Sequence, residues 1–150
     1  MLELIREAKQ EDVADLARLM GELGYPTTKD EMQNRFEKIN SDPSYNTQVI
    51  EADGNIVGMI GMILGYHYEK NDNYIRIVAM VVDSKFRKQG FGGKLIEKAE
   101  EWAREKGASK IVLNSGNRNE RTDAHLFYER KGFEGKATGF YKEIAFHQKD

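Results

Sequence analysis

The chain has no cysteine, only two prolines and no excess of positive charge in 150 residues. It also lacks any apolar run approaching the ~18 residues that a membrane-spanning helix needs. Without cysteine there can be no disulfide, no thiolate metal ligand and no cysteine nucleophile. Lys and Arg number 23 against 25 Asp and Glu, a formal net charge of -2. A general nucleic-acid binder shows a basic excess, so no nucleic-acid partner is expected, and no membrane partner either. The start, Met1-Leu2-Glu3-Leu4-Ile5-Arg6, is too short and too charged for a signal peptide, and a cytoplasmic location is the expectation. No His/Asp/Glu group has metal-ligand spacing, and no serine triad or nucleophile elbow is visible. Neither a metal nor a covalent enzyme intermediate is therefore expected.

What remains suits one soluble domain over residues 1–150, 39% hydrophobic and 32% charged. Residues 2–6 read as a first strand. Residues 10–23 carry Val13, Leu16, Ala17, Leu19, Met20 and Leu23 at helical spacing and stop at Gly24 and Pro26. Thr28 or Asp30 can cap a second helix through Ile39. Residues 46–52, the turn Asp53-Gly54-Asn55 and residues 56–66 predict a hairpin. Residues 74–82 form a near-continuous apolar run, the mark of a strand covered on both faces. A helix over residues 90–106 has Leu95, Ile96, Ala99, Trp102 and Ala103 on one stripe and ends at Gly107. A strand over 110–114, a helix over 121–131 and two closing strands, near Phe133 and over 138–146, complete a mixed α/β order.

The most informative stretch joins the apolar strand to that long helix: Arg87-Lys88-Gln89-Gly90-Phe91-Gly92-Gly93-Lys94. Glycines at a helix start let an anion approach backbone N–H groups, and the helix end adds partial positive charge. Two nucleotide loops can be excluded by spacing. A P-loop would need glycine where Lys88 stands and a hydroxyl where Leu95 stands; a dinucleotide fingerprint would need glycine at Leu95. The glycines could also form only a tight connection, although each costs roughly 1 kcal/mol against alanine inside a helix.

The pattern Arg87-x-x-Gly90-x-Gly92 resembles the pyrophosphate-binding signature of the GCN5-related N-acetyltransferases, the GNAT family. The likeness extends to Met80-Val81-Val82 before the loop, to Ala124-His125-Leu126-Phe127-Tyr128-Glu129 and to Gly132-Phe133 after it. It implies an α+β fold with a mixed, mostly antiparallel sheet of six to seven strands flanked by about four helices. That sheet would be splayed between its fourth and fifth strands beside a bulge in the Met80–Val82 segment. It implies acetyl-CoA as co-substrate, an amine acceptor and, in many relatives, a homodimer. The pyrophosphate would meet N–H groups of Gln89, Gly90, Phe91, Gly92, Gly93 and Lys94, with the Arg87 and Lys88 side chains. Main-chain groups of Met80, Val81 and Val82 would hold the pantetheine arm, and Tyr128 would protonate the departing thiolate.

A phenol ionises near pH 10, so Tyr128 can serve as a general acid at neutral pH. The general base stays open among Glu22, Tyr66, His67, Glu69 and His125, because Val78 occupies the strand position where many relatives carry glutamate. Arg121 stands where most carry a pantetheine-binding asparagine, which leaves that contact unassigned; Arg118 or Arg121 could instead meet a CoA phosphate. The reading is transfer of acetyl from acetyl-CoA to a primary amine, of a small molecule in preference to a protein. The rivals are a non-catalytic acyl-CoA-binding module on the same fold and a phosphate- or nucleotide-binding regulator.

Overall fold

A computed structural model describes residues 2–115 and 122–145. The chain forms two compact units, residues 1–113 and 114–150. In the first, the order is β1 (Glu3–Glu7), a 3-10 turn (Gln10–Asp12), α1 (Val13–Leu23), α2 (Lys29–Ser41), β2 (Tyr45–Ala52), β3 (Asn55–Tyr66), β4 (Asn73–Val82), a second 3-10 turn (Ser84–Phe86), α3 (Phe91–Lys106) and β5 (Ala108–Leu113). The strands form one sheet in the order β1-β2-β3-β4-β5. The first four run antiparallel, and β5 pairs parallel to β4.

Local chemistry sets the element ends. The Thr28 hydroxyl accepts the Glu31 N–H at 3.1 Å while the Glu31 carboxylate accepts the Thr28 N–H at 3.1 Å, a reciprocal cap for α2. Gly24 and Gly107 end α1 and α3 in left-handed conformation, φ +105° and +68°. Asp53 and Gly54, φ +51° and +83°, make the tight turn between β2 and β3.

Helices α1 and α2 cover one face of the sheet, where Val13, Leu16, Leu19, Met32 and Phe36 pack with Val49, Met59 and Val81. The other face meets α3, which buries Phe91, Leu95, Ile96, Ala99, Trp102 and Ala103. At Gly58 the layers come close: a Cβ there would lie 3.1 Å from the Val81 carbonyl oxygen and 3.5 Å from Leu95 Cδ1. The Tyr74 ring covers Gly65, where a Cβ would fall within 2.3 Å of it.

Two expectations need correction. The sheet has five strands, not six to seven, and the closing strands are absent among the described residues: 133–145 carry no regular element. A strand requires a neighbour to hydrogen-bond, and alternating side chains do not supply one. Phe140, Tyr141 and Ile144 in this segment are 91%, 79% and 73% exposed, so no burial holds it extended. Phe146 lies outside the described residues, as does Arg121 at the start of the expected last helix; the helix itself, α4, spans Thr122–Arg130 in the second unit.

Where the chain leaves β1, the Arg6 guanidinium donates two hydrogen bonds to Asp12, at 2.8 and 2.9 Å, and a third to Glu51 at 2.8 Å. Asp12 is buried and also accepts the Lys9 N–H at 2.7 Å. Arg6 therefore holds the Asp12 carboxyl below the usual carboxylate range, helped by that N–H and opposed by desolvation. A depressed folded-state value gives stability that is complete above the unfolded value, near pH 4, and fades as pH falls through the folded one. Asp12→Asn is expected to cost about 2–3 kcal/mol at pH 7. In urea unfolding at a series of pH values, the gap between wild type and variant should shrink below about pH 4. A gap that stays constant to pH 2 would contradict the assignment.

Candidate active site

The register of β4 shapes the site. Gly61 pairs with Ala79 and the next residue, Met62, with Ile77, so Val78 is an extra residue in β4. Val78 and Ala79 both approach the Gly61 position, each 3.8 Å from where a Cβ would stand. That is the geometry of a β-bulge, which bends the strand and sharpens its twist. On the other side, β4 pairs with β5 only as far as Ile77↔Leu113. Residues 78–82 thus continue as strand with no β5 partner in this unit, as a splay between the fourth and fifth strands requires. Met80 and Val82 are half-buried and Val81 is buried, while the free polar groups on that edge belong to the backbone.

The edge leads directly into the glycine turn. Asp83, which follows β4, accepts the Lys85 N–H at 3.0 Å, and its N–H donates to the Val57 carbonyl at 2.8 Å. Its carboxyl is held below the usual range by the Lys85 N–H first and then by Arg18, against desolvation. Arg18 on α1 pairs with Asp83 and also donates to the Ile56 carbonyl at 2.7 Å. One turn later, Glu22 accepts the Ser84 hydroxyl at 3.1 Å and lies 3.9 Å from Arg87. Arg87 Nε donates to the Val82 carbonyl at 3.3 Å. The loop start is therefore fastened to α1 by two ion pairs.

Beyond Arg87 the chain is exposed through Lys88, Gln89 and Gly90. Lys88 and Gly90 have φ +65° and +85°; for Lys88 the left-handed conformation costs roughly 1–2 kcal/mol. Gly90 caps α3, and the first internal helix bond runs from Lys94 N–H to the Gly90 carbonyl at 3.2 Å. By helix geometry the N–H groups of Phe91, Gly92 and Gly93 precede that bond and have no intrahelical partner. The Phe91 side chain is 1% exposed and anchors the helix start in the core, so the backbone faces outward without shifting. Lys94 is drawn elsewhere: its ammonium pairs with Glu3 on β1. Of the three cations the motif holds, Arg87 and Lys88 are the exposed ones.

In the second unit, the Tyr128 ring sits edge-on to Phe127 and Phe133, with centroids 5.5 and 5.8 Å apart. The Phe133 N–H closes back on the Tyr128 carbonyl at 3.0 Å through Gly132, φ +92°, which fixes the end of α4. Asn114 donates to the Tyr141 hydroxyl at 3.0 Å. Arg118, Arg121, Asn117 and Asn119 lie outside the described residues.

The candidate bases are scattered. Glu22 is committed to Ser84 and Arg87. Tyr66 is 74% exposed at the end of β3. His67 lies 3.7 Å from Glu69 and 4.0 Å from Asp72, with its ring 5.0 Å from Tyr74, at the opposite end of β4 from the glycine turn. Asp72 is held below the usual range chiefly by the Ser109 hydroxyl. His125 is half-buried on α4. Sequence reasoning did not single out Arg18 and Asp83; the visible signal was the i,i+4 placement of Arg18 and Glu22 on one face of α1.

The chain is similar to known proteins in sequence and in fold. The family model described as "Acetyltransferase (GNAT) family" matches residues 7–133. The aminoalkylphosphonate N-acetyltransferase of Salmonella typhimurium is 30% identical over 145 residues, covering 93% of this chain and 90% of that one. A GNAT family acetyltransferase structure from Staphylococcus aureus superposes with a TM-score of 0.82 at 33% identity, covering 96% of this chain and all of that one. The glucosamine-6-phosphate N-acetyltransferase structure from Arabidopsis thaliana gives 0.81 at 25% identity, covering 97% and 100%. GNAT acetyltransferases use acetyl-CoA, and the chain belongs to this family as an acetyl-CoA-dependent N-acetyltransferase.

Proposed function

We propose that the chain transfers acetyl from acetyl-CoA to the primary amine of a small molecule by direct attack within a ternary complex. The observation that carries this is the end of β4–β5 pairing at Ile77, with the strand continuing through Val82 into the glycine turn. An open edge accepts the amides of an extended ligand, as a pantetheine arm is, along Met80, Val81 and Val82. The turn then offers N–H groups of Gln89, Gly90, Phe91, Gly92 and Gly93 to the pyrophosphate, with Arg87 and Lys88 at its side and Lys94 in the following turn. Both units serve one domain in this reading, supported by a family match that runs from residue 7 to residue 133. A small-molecule acceptor is supported by the substrate class in the name of the Salmonella relative.

The chemistry balances with the chain's own groups. The neutral amine nitrogen attacks the thioester carbonyl carbon, forming the C–N bond and placing negative charge on oxygen. An N–H freed by the bulge can stabilise that charge. The C–S bond then breaks, the thiolate takes the Tyr128 phenolic proton, and the amine's surplus proton leaves to water. Tyr128 is reprotonated from solvent.

Thiol release measured with acetyl-CoA and a panel of amines tests the reading. Turnover is expected with at least one small amine, and Tyr128→Phe should lower kcat by about tenfold or more. The affinity for CoA should weaken by less than kcat falls, because Tyr128, though also a cofactor-binding residue, acts chiefly on the leaving thiolate. Full activity of the variant across pH would remove Tyr128 from the acid role. CoA binding without turnover of any amine would favour the non-catalytic module.

A further inference from the structure

Val78 is the one exposed residue of strand β4. Ile75, Ile77 and Val81 are at most 6% exposed, whereas Val78, the bulged residue, is 49% exposed. The open patch belongs to the α1–α2 face, since Val78 and Ala79 lie beside Gly61 and within reach of Met59 on that side. Gly61 itself is buried beneath Met59, Val78 and Ala79.

Arg76 stands on the same face, two positions before the bulge. Its neighbours in register are Ile63 on β3 and Val112 on β5, both apolar and half-buried, which bed the aliphatic part of its side chain. Arg76 is itself half-buried, and its guanidinium makes no hydrogen bond or ion pair with any described residue. Among the described arginines, Arg6, Arg18, Arg35, Arg87 and Arg130 each have one, and Arg104 has none but is exposed on α3. A guanidinium that is partly desolvated and unpaired keeps five planar donors in search of an oxyanion.

We propose that Arg76 binds an anionic group of the acceptor, so that the substrate is an amine bearing a carboxylate, phosphonate or phosphate a short spacer from its nitrogen. This rests on the transferase reading, which puts the reacting amine beside the bulge. Two strand residues span roughly 6.5 Å, so the guanidinium and the reacting centre are a few bonds apart. Bidentate pairing with an oxyanion fixes orientation as well as affinity. The same cation disfavours an ammonium beside it, which helps expose the neutral amine that attack requires where Val78 provides no carboxylate base. Thr47, directly across from Gly61, adds a hydroxyl on that face.

The test compares acceptors matched in length: 4-aminobutanoate and 3-aminopropylphosphonate against butylamine, and glucosamine 6-phosphate against glucosamine. For at least one pair the anionic member should be favoured by about tenfold or more in kcat/KM. Arg76→Gln should bring that ratio close to one through the KM of the anionic acceptor, and Arg76→Lys should restore part of it. An unchanged thermal shift by CoA shows that the variants are folded. Binding of the same amines to the CoA complex, by calorimetry, runs in parallel. Neutral and anionic amines used equally, or equal losses on both in Arg76→Gln, overturn the proposal and leave the transferase standing. Arg76-dependent binding of an anionic amine without any turnover keeps the anion site and removes the transferase reading. Neither turnover nor binding of any anionic amine overturns both.

Discussion

One register slip governs the first unit. With Val78 as an extra residue, β4 keeps its pairing with β3 on either side of the bulge but can follow β5 only to Ile77. The slip also resets which face each side chain meets. Arg76 and Ala79 share a face although three positions apart, and Val81 reaches the helix pair α1–α2. Unpaired backbone at a sheet's interior edge is normally a liability. On the proposed reading it is the part of the sheet that an amide-bearing ligand completes.

Holding that edge open needs a rigid continuation, and charge provides it. Asp83 is fastened by a backbone N–H and by Arg18, and Arg87 is held between Glu22 and the Val82 carbonyl. Helix α1 therefore grips both ends of the short passage from strand to glycine turn. The net charge of the chain is slightly negative, yet the exposed turn carries Arg87 and Lys88 beside a helix N-terminus. Local arrangement, not overall charge, decides what such a turn binds. On the proposed reading, a pyrophosphate would compete with Glu22 for Arg87, which would couple cofactor binding to the end of α1.

Much of this was legible in the sequence because it is written in local signals. The Asp53-Gly54 turn, the stripe of α3 and the basic glycine turn each depend on residues close in the chain, and each appears within a residue or two of its expected place. The family likeness implied a bulge in the Met80–Val82 segment, but it falls two residues earlier, at Val78, which looks like every other member of an apolar run. The Arg18–Asp83 pair joins residues 65 apart and leaves no trace in spacing. The closing strands near Phe133 and over 138–146 were expected, but pairing, which alone makes a strand, is not encoded locally. The pairing of Lys94 with Glu3, a partner 91 residues away, likewise leaves no trace in spacing.

The central claim is that the glycine turn takes the pyrophosphate and the open edge takes the pantetheine arm. Backbone amide shifts of isotope-labelled protein, recorded with CoA and separately with pantetheine, address it directly. CoA should move the amides of Gly90, Gly92 and Gly93 together with those of residues 79–82. Pantetheine, which has no pyrophosphate, should move only residues 79–82. If CoA leaves the glycine amides in place, or pantetheine moves them equally, the turn is only a connection and the account fails.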